Sequence, residues 1–480
     1  MNGSSSSIVK SEDWMALWIG LFLFLLAFLQ LAGLDLLGWA AKFNNWIDIS
    51  KSVSTVSKGS TIQPILSVLL TYLFLLAVMS AGTRLMGHSI GKFIPAFTGV
   101  YWISYLAMVI GNFAYIAATK NDLAKFGISW SMNLTGEAGF IVALILGLIV
   151  GNFMTGFAEK LKDAILPEWY IKTAIVILGG SLGVKAVEAM GLASAIMFRG
   201  LCAIVEAYLI YWAVVYLIAR TVFKFSREWA APLASGISIC GVSAAIATGG
   251  AIKARPIVPI MVSSLVVVFA VVELLVLPFI AQHFLYKEPM VAGAWMGLAV
   301  KTDGAAVASG AIADSLIRAK ALAADGVNYK EGWILMTSTT IKVFIDVFIG
   351  VWAFILAIVW CTVIECKPGE KFRPVQIWER FPKFVIGYVL TFLILVTLCG
   401  FNKGLLAPSK AAVGAMDALR VIFFSMTFFA IGAVSNFKKL WEEGIGKLAA
   451  VYILCLFGFI IWVGLLISWI FFHGVKPPIV

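Results

Sequence analysis

Long apolar runs recur along the whole chain and constrain its fold more than any other feature. Many approach or exceed about 20 residues, the length of an α-helix that crosses the hydrocarbon core of a bilayer. Examples are WMALWIGLFLFLLAFLQLAGL (14–34), GFIVALILGLIVGNF (139–153) and IVPIMVSSLVVVFAVVELLVLPFI (257–280). Strands of a membrane β-barrel would instead alternate every second residue over short segments. The sequence therefore predicts an all-α polytopic membrane protein.

Composition supports the same class. Of the 480 residues, 61% are hydrophobic and 13% are charged, whereas soluble domains carry roughly 25% charged residues. The first apolar run follows KSEDW and lacks a small-residue cleavage pattern, so we interpret it as a span and not as a signal peptide.

Apolar stretches of this length occur in about thirteen places. The segments 229–252 and 289–314 are the least apolar of them, and are the least typical of simple helices. The predicted spans lie near 14–41, 63–82, 93–118, 138–157, 170–190, 194–220, 229–252, 256–284, 289–314, 332–362, 383–402, 411–436 and 446–473.

Polar loops divide this series of spans into two domains. The loops are 44–63 and 119–137. We interpret residues 1–137 as three additional N-terminal transmembrane helices with their loops, and residues 138–480 as a transporter core of about ten transmembrane segments.

The predicted core contains weak internal sequence similarity. Residues 171–191 resemble 419–444, and glycines interrupt two further segments, 235–250 and 293–310. Internal duplication with interrupted helices is typical of secondary transporters whose binding site lies near the bilayer midplane. We therefore predict an inverted-repeat transporter core with interrupted, Gly-rich helices.

The net charge of +11 does not indicate a nucleic-acid partner. Lys and Arg are concentrated in short loops such as 220–227, 367–383 and 436–447, which is the bias that membrane insertion produces. The six cysteines lie in or beside apolar spans and show no metal-ligand spacing, so we expect them to be small hydrophobes. No metal and no cofactor are predicted, apart from a coupling H⁺ or Na⁺.

The stretch ASGISICGVSAAIATGGAIKARP (234–256) is built almost entirely of small residues up to Gly250. A helix that breaks inside a membrane must line a wet cavity or find other partners for its backbone. The N-terminus of the resulting half-helix offers free N–H groups and partial positive charge, which bind anions. The alternative is a continuous helix that is tightly packed through its small residues. The candidate substrate-binding residues here are Ser238, Cys240, Gly241 and Ser243.

The second stretch rich in small residues is GAWMGLAVKTDGAAVASGAIADS (293–315), which carries Lys301, Thr302 and Asp303. A charge at the centre of a membrane helix costs roughly 2.5–3.5 kcal/mol on insertion scales. Two charges beside one Gly-rich break therefore indicate a binding role for these three residues. A re-entrant or interfacial turn, in which both charges are hydrated, is the alternative.

Four further charged residues lie in apolar spans and are candidate coupling groups. Lys342 and Asp346 are four residues apart and share a helix face, so they either neutralise each other or take part in transport. Glu206 and Glu273 are isolated carboxylates, and each is either a protonatable coupling group or a hydrogen-bonded structural one.

The motif GISICGVSAAIATGGAIKAR (236–255) resembles the bacterial YeiH-like family, whose members are assigned as sulfate exporters. Family-like pieces LGLIVGN, ILGGSLGVKAVEAMG, GAWMGLAV, TTIKV and FFAIGAVSNFKKL follow in order within 138–473. Where the family usually has a His, an acid and then a Gln, this chain has Lys301, Thr302 and Ala305, and it offers Asp303. The family also usually carries an Arg near the position of Asp346.

The resemblance implies a distant relation to cation/proton antiporters and bile-acid transporters. It implies two inverted repeats, broken helices that cross at the midplane, a homodimer, and a multi-pass protein of the bacterial inner membrane. It also implies membrane lipids as partners and no nucleic acid.

Four hypotheses follow. The first is a secondary-active transporter of a small, sulfate-like anion held at half-helix N-termini. The second is a Na⁺/H⁺-type antiporter that uses membrane carboxylates. A membrane enzyme is disfavoured, because the chain has three histidines, no HExxH motif and no base beside a candidate serine. A membrane sensor or scaffold is the fourth.

Overall fold

A computed structural model describes most of the chain, and the described part is mainly helical. The described residues are 11–57, 59–118, 122–132, 136, 138–188, 190–252, 254–255, 257–360, 364, 383–435 and 446–480.

The helices are numbered in chain order over these residues. The first eight are α1 (Glu12–Phe28), α2 (Pro64–Leu85), α3 (Ile90–Gly111), α4 (Ala114–Ala117), α5 (Leu123–Phe126), α6 (Ala138–Phe153), α7 (Thr155–Leu161) and α8 (Pro167–Glu188). The next seven are α9 (Met190–Gly200), α10 (Cys202–Val205), α11 (Trp212–Thr221), α12 (Arg227–Ser238), α13 (Gly241–Ala251), α14 (Ile257–Phe284) and α15 (Pro289–Ala299). The last seven are α16 (Asp303–Asp325), α17 (Trp333–Val347), α18 (Ile349–Val359), α19 (Lys383–Phe401), α20 (Leu406–Val434), α21 (Gly446–Cys455) and α22 (Ile461–Phe472).

The described residues also form a short β-hairpin, two π-helical turns and four 3₁₀ helices, Leu29–Ala32, Ile49–Lys51, Lys162–Ala164 and Lys403–Leu405. Strand β1 (Ala41–Phe43) pairs antiparallel with β2 (Val53–Thr55) between α1 and α2. The π-helical turn Glu206–Tyr211 joins α10 to α11, and a second one, Leu456–Ile460, joins α21 to α22.

Nine helices among the described residues are long and apolar enough to cross a membrane, or ten if the bent pair Ala138–Phe153 and Thr155–Ala164 is one span. This confirms an all-α polytopic membrane protein. Described helices lie in all the predicted segments, and the thirteen crossings stay a prediction. The nine are Glu12–Ala32, Pro64–Leu85, Ile90–Gly111, Met190–Thr221, Ile257–Phe284, Trp333–Val359, Lys383–Phe401, Lys403–Val434 and Gly446–Phe472.

The two least apolar predicted spans are each broken into two helices. The first contains α12 and α13, with 12 and 11 residues, and the second begins with α15, which has 11. A helix of 11 residues is about 17 Å long, roughly half the thickness of the hydrocarbon core. The chain therefore ends one helix and starts the next in the middle of each of these segments.

The chain forms two compact units. One contains Met1–Ala193, Leu322–Asp325 and Lys383–Val434, and the other contains Ser194–Ala321, Gly326–Pro382 and Ser435–Val480. Residue 137 is not a boundary between compact units, because α3 packs on α6 and α1 packs on α8 within the first one. The division into an N-terminal addition and a core from 138 stays a prediction, as does the inverted repeat.

In the first unit, glycines let helix backbones approach closely. A Cβ at Gly147 of α6 would collide with the carbonyl oxygen of Phe429 in α20. A Cβ at Gly183 of α8 would lie 2.6 Å from the carbonyl oxygen of Phe392 in α19. Contacts of this kind are typical of membrane helix interfaces, where close packing stabilises association.

In the second unit, the glycines of α15 and α16 serve the same purpose against α17. A Cβ at Gly293 would lie 2.7 Å from the Ile334 carbonyl oxygen, and one at Gly297 would lie 2.7 Å from that of Ser338. The Ser338 hydroxyl donates to the carbonyl oxygen of Ala306 at 2.9 Å. This close packing fixes α17 beside the point where α15 and α16 meet.

The close approach of α6 and α20 generates a stability prediction. Gly432→Ala should lower the thermal unfolding midpoint of the purified protein, because the added Cβ would collide with the Leu144 carbonyl oxygen and lie 2.7 Å from the Leu148 nitrogen. Overpacking of this kind costs about 1–3 kcal/mol. Gly414→Ala on the same helix is the matched control, since nothing lies within 4 Å of its Cβ. Equal midpoints for the two variants would contradict the packing account.

Candidate functional site

The first helix break lies between α12 and α13. Ser238 ends α12, Ile239 leaves the helical conformation with φ −105° and ψ −84°, and Cys240 is extended, with φ −143° and ψ 116°. Gly241 then starts α13. Glycine and β-branched residues have low helix propensity, which makes the ICG sequence a favourable place for a break.

The second break lies between α15 and α16. Val300 is extended, with φ −82° and ψ 127°. The Thr302 hydroxyl accepts a hydrogen bond from the Ala305 N–H at 3.2 Å, which is the N-cap interaction that stabilises the first turn of a helix. The sequence VKTDGA thus ends one helix and begins the next within four residues.

The two breaks meet. The Gly241 N–H at the start of α13 donates to the Lys301 carbonyl oxygen at 2.7 Å. The ammonium of Lys342, on α17, donates to the Ile239 carbonyl oxygen at 2.8 Å and lies 3.4 Å from the Lys301 carbonyl oxygen. The same nitrogen lies 3.6 Å from Asp303 Oδ1. We call the region formed by Ile239–Gly241, Lys301–Asp303 and Lys342 the helix crossing.

A thiol and a carboxylate lie in the helix crossing, and the carboxylate of Asp346 on α17 lies beside them. The Cys240 thiol donates to Asp303 Oδ1 at 2.6 Å. One potential ligand atom each from Cys240, Asp303 and Asp346 lies within 4.8 Å of the others, and all three residues are buried. Lys342 and Asp346 on α17, which the sequence suggests as a pair, are therefore part of a larger cluster, in which Asp303 contacts the Lys342 ammonium.

Lys301 contributes its backbone to the helix crossing and directs its side chain elsewhere. Its ammonium donates to the Leu298 carbonyl oxygen in the last turn of α15, and lies 4.5 Å from the ring centroid of Tyr211. Its N–H donates to Glu273 Oε2 at 3.0 Å. The other oxygen of Glu273 accepts from the Tyr452 hydroxyl at 2.8 Å. Both oxygens of this carboxylate therefore have partners, as expected if Glu273 is a hydrogen-bonded structural residue.

Glu206 lies in the π-helical turn and is completely buried. The Tyr211 hydroxyl, near this carboxylate, donates to the Ile460 carbonyl oxygen at 2.9 Å. Neither oxygen of Glu206 accepts a hydrogen bond within the part of the chain that the structure describes. Insertion of one residue into a helix as a π-turn is frequent at functional sites.

The remaining predicted residues have different surroundings. Gly241 packs against Val266 and Thr302, where a Cβ would collide with a Val266 methyl group, and its N–H is already bonded to Lys301. The hydroxyl of Ser238 is buried and has no hydrogen-bond partner among the described residues. Ser243 lies in the first turn of α13, but its side chain is outside the described part of the structure.

Two tyrosines and two carbonyl groups complete the region, and the sequence reasoning missed them. Tyr211 lies against Lys301 and Tyr452 binds Glu273. A tyrosine in an apolar span needs a partner for its hydroxyl, which is a signal that could have pointed to both. The carbonyl oxygens of Ile239 and Lys301 could not be found in this way, because their exposure depends on where the helices end.

The helix crossing is suited to holding a positive charge. Carbonyl oxygens freed at helix breaks and a buried carboxylate surround the Lys342 nitrogen at 2.8–3.6 Å. A buried charge is tolerated only when it is paired and hydrogen-bonded. Lys342 and the carboxylates therefore depend on one another for their burial.

This dependence generates a second prediction. Lys342→Met should destabilise the protein by about 3–5 kcal/mol, because it leaves buried carboxylates without their cation. Adding Asp303→Asn should recover part of the loss, with a coupling of about 1–3 kcal/mol measured in a double-mutant cycle of unfolding free energies. Lys320→Met, near the exposed end of α16, is the control for loss of a lysine. Purely additive effects would show that the two residues do not interact.

Comparison with known proteins gives a family. A family model described as Conserved hypothetical protein 698 matches residues 105–451. The UPF0324 membrane protein of Nitrosomonas europaea is 42% identical over 479 residues, which cover 99% of this chain and 98% of that protein. This alignment includes the three N-terminal helices, which the sequence interpretation treats as an addition outside the YeiH-like resemblance.

Two other relatives match with different coverage. A UPF0324 membrane protein of Nitratidesulfovibrio vulgaris is 28% identical over 460 residues, which cover 92% of this chain and 69% of that protein. An uncharacterized protein of Archaeoglobus fulgidus is 53% identical over 165 residues, covering 30% of this chain and 88% of the relative. No solved structure matches the chain. The chain is thus a multi-pass membrane protein that belongs to the Conserved hypothetical protein 698 family, alongside the UPF0324 membrane proteins.

Proposed function

We propose that this protein is a secondary-active transporter that exchanges a cation for protons at the helix crossing. The observation that carries the proposal is the position of the Lys342 ammonium. It lies among the carbonyl oxygens of Ile239 and Lys301 and the carboxylate of Asp303. Carboxylate and carbonyl oxygens are ligands that metal cations take in proteins.

The ammonium stands where a transported cation would bind. Lysine carries a compact charge at the end of a flexible four-carbon stem, so it can leave Asp303 when another cation arrives and return when that cation leaves. Such a tethered cation keeps the Asp303 carboxylate paired with a positive charge in both states. Transport then requires the helix crossing to become accessible from each side of the membrane in turn.

The charges of the buried residues support a cation over an anion. Asp303 and Asp346 lie in the cluster itself, while the Lys301 ammonium is directed to the last turn of α15. An anion at the start of α16 would lie beside the carboxylate of Asp303, and like charges at about 4 Å repel strongly where water is scarce.

Transport of a small anion is the second candidate, and the two helix starts favour it. The N-termini of α13 and α16 both lie at the helix crossing, and a half-helix N-terminus attracts negative charge. Ser238 adds a buried hydroxyl without a partner among the described residues. Under this candidate the carboxylates are protonated when the anion binds. The YeiH-like resemblance implies sulfate as the exported anion under this second candidate. It also implies a homodimer in the bacterial inner membrane, and both remain part of the proposal under either candidate.

Flux measurements in proteoliposomes separate the two candidates. Internal pH is recorded while Na⁺, K⁺, Mg²⁺, Mn²⁺ or Co²⁺ is added outside. In parallel, uptake of sulfate, sulfite, bicarbonate, chloride and short organic sulfonates and carboxylates is followed with and without pH and Na⁺ gradients. We expect at least one cation to drive saturable proton movement. This movement should be lost in Asp303→Asn, because the carboxylate that binds the cation is gone.

Asp325→Asn is the matched control, since Asp325 is exposed at the other end of the same helix. It should retain the wild-type proton movement. Saturable anion flux that persists in Asp303→Asn and is reduced in Ser238→Ala would replace the cation proposal with the anion candidate. Absence of both cation-driven proton movement and anion flux in correctly folded, reconstituted protein would contradict transport itself.

A further inference from the structure

We propose that the cation bound at the helix crossing is a thiophilic divalent metal ion, held by Cys240, Asp303 and Asp346. The inference rests on the proposed function, because it names the class of cation that the same site exchanges for protons. Sequence spacing does not predict a metal site here. The three residues are far apart in the chain and come together only through the two helix breaks and α17.

The ligand geometry is close to that of one ion. The thiol and carboxylate ligand atoms lie within 4.8 Å of one another. A thiolate and a carboxylate on one Zn²⁺-like ion lie at most about 4.4 Å apart. A small rearrangement, in which the Cys240 sulfur and Asp303 Oδ1 move apart around the ion and the widest ligand separation shortens, therefore brings all three ligands into range.

An unsatisfied oxygen provides independent support. Asp303 is 1% exposed, and its Oδ2 has no hydrogen-bond partner in the described part of the chain. A buried carboxylate oxygen without a partner carries a free-energy penalty that a metal ligand bond removes. Three protein ligands also leave coordination positions open, as in zinc sites that exchange a bound molecule. An incompletely enclosed ion can leave the site again, which transport requires.

The charges balance only with a divalent ion and loss of the thiol proton. On binding, the S–H bond of Cys240 breaks, an S–metal bond forms, and the proton leaves for the solution. The thiolate and two carboxylates then carry three negative charges, and the divalent ion with the Lys342 ammonium carries three positive ones. Metal binding to thiols releases protons in this way, so one binding event couples metal uptake at the site to proton release.

The sulfur ligand determines selectivity. Thiolate favours soft or borderline ions such as Zn²⁺, Co²⁺ and Cd²⁺, whereas Mg²⁺ and Ca²⁺ prefer all-oxygen sites. A site for Na⁺ or Mg²⁺ would gain nothing from Cys240. The thiol at the helix crossing therefore distinguishes this cluster from an all-carboxylate cation site.

The test is Co²⁺ binding to the purified full-length protein in detergent. We expect one Co²⁺ per chain, a thiolate-to-cobalt charge-transfer absorption, and release of about one proton, measured by calorimetry in buffers of different ionisation enthalpy. Excess Mg²⁺ should not displace the Co²⁺, and Zn²⁺ should. Cys240→Ser should abolish the absorption and weaken binding by more than the about 10–100-fold seen when a supporting partner of a metal ligand is lost.

Cys399→Ser is the matched control, since Cys399 is equally buried and lies against Ser409 in the other compact unit. It should leave the absorption and the affinity unchanged. Absorption that persists in Cys240→Ser, or absence of Co²⁺ binding to folded wild-type protein, would overturn the inference. If Na⁺ or K⁺ still drives proton movement in proteoliposomes, the proposed function stands while this inference fails. If Co²⁺ binds to Cys240 but no cation drives proton movement, the metal site stands and cation exchange fails.

Discussion

The arrangement around the Lys342 ammonium is the interaction on which the second compact unit depends. A lysine in a membrane interior is costly unless its charge is paired, and here two helices end so that their carbonyl oxygens and one carboxylate meet it. The breaks in α12–α13 and α15–α16 are costly in turn, because each frees backbone groups where water is absent. The hydrogen bond from Gly241 to Lys301 and the bonds to Lys342 satisfy these groups. The buried charge of Lys342 and the freed backbone groups of the helix breaks thus satisfy each other.

This mutual compensation connects structure to function. A region in which charge, helix ends and close packing are interdependent changes as a whole when one charge is replaced. An incoming cation that takes the place of the ammonium at Asp303 alters the hydrogen bonds of both helix breaks at once. The proposed exchange therefore acts on the elements that would have to rearrange during transport. A network of hydrogen bonds and ring contacts holds the end of α15 and the backbone of Lys301 in place at the helix crossing. Its members are Lys301, Glu273, Tyr211 and Tyr452.

The sequence predicts the membrane class, the positions of most helices and the two breaks, because apolar length and small-residue content are local properties. It does not predict which side chain each charged residue meets. Lys342 and Asp346 share a helix face, and Lys342 also forms an ion pair with Asp303, 39 positions earlier in the chain. The direction of the Lys301 side chain could not be predicted either, because its ammonium bonds to the last turn of α15.

In the proposed exchange, a cation competes with the Lys342 ammonium for the helix crossing. The measurement that tests it most directly is the affinity of the transported cation, taken from its stabilisation of the purified protein, in the wild type and in Lys342→Met. Removing a tethered competitor should tighten cation binding by about tenfold or more, which corresponds to about 1.4 kcal/mol, while Lys320→Met leaves it unchanged. Weaker or unchanged binding in Lys342→Met would contradict the account.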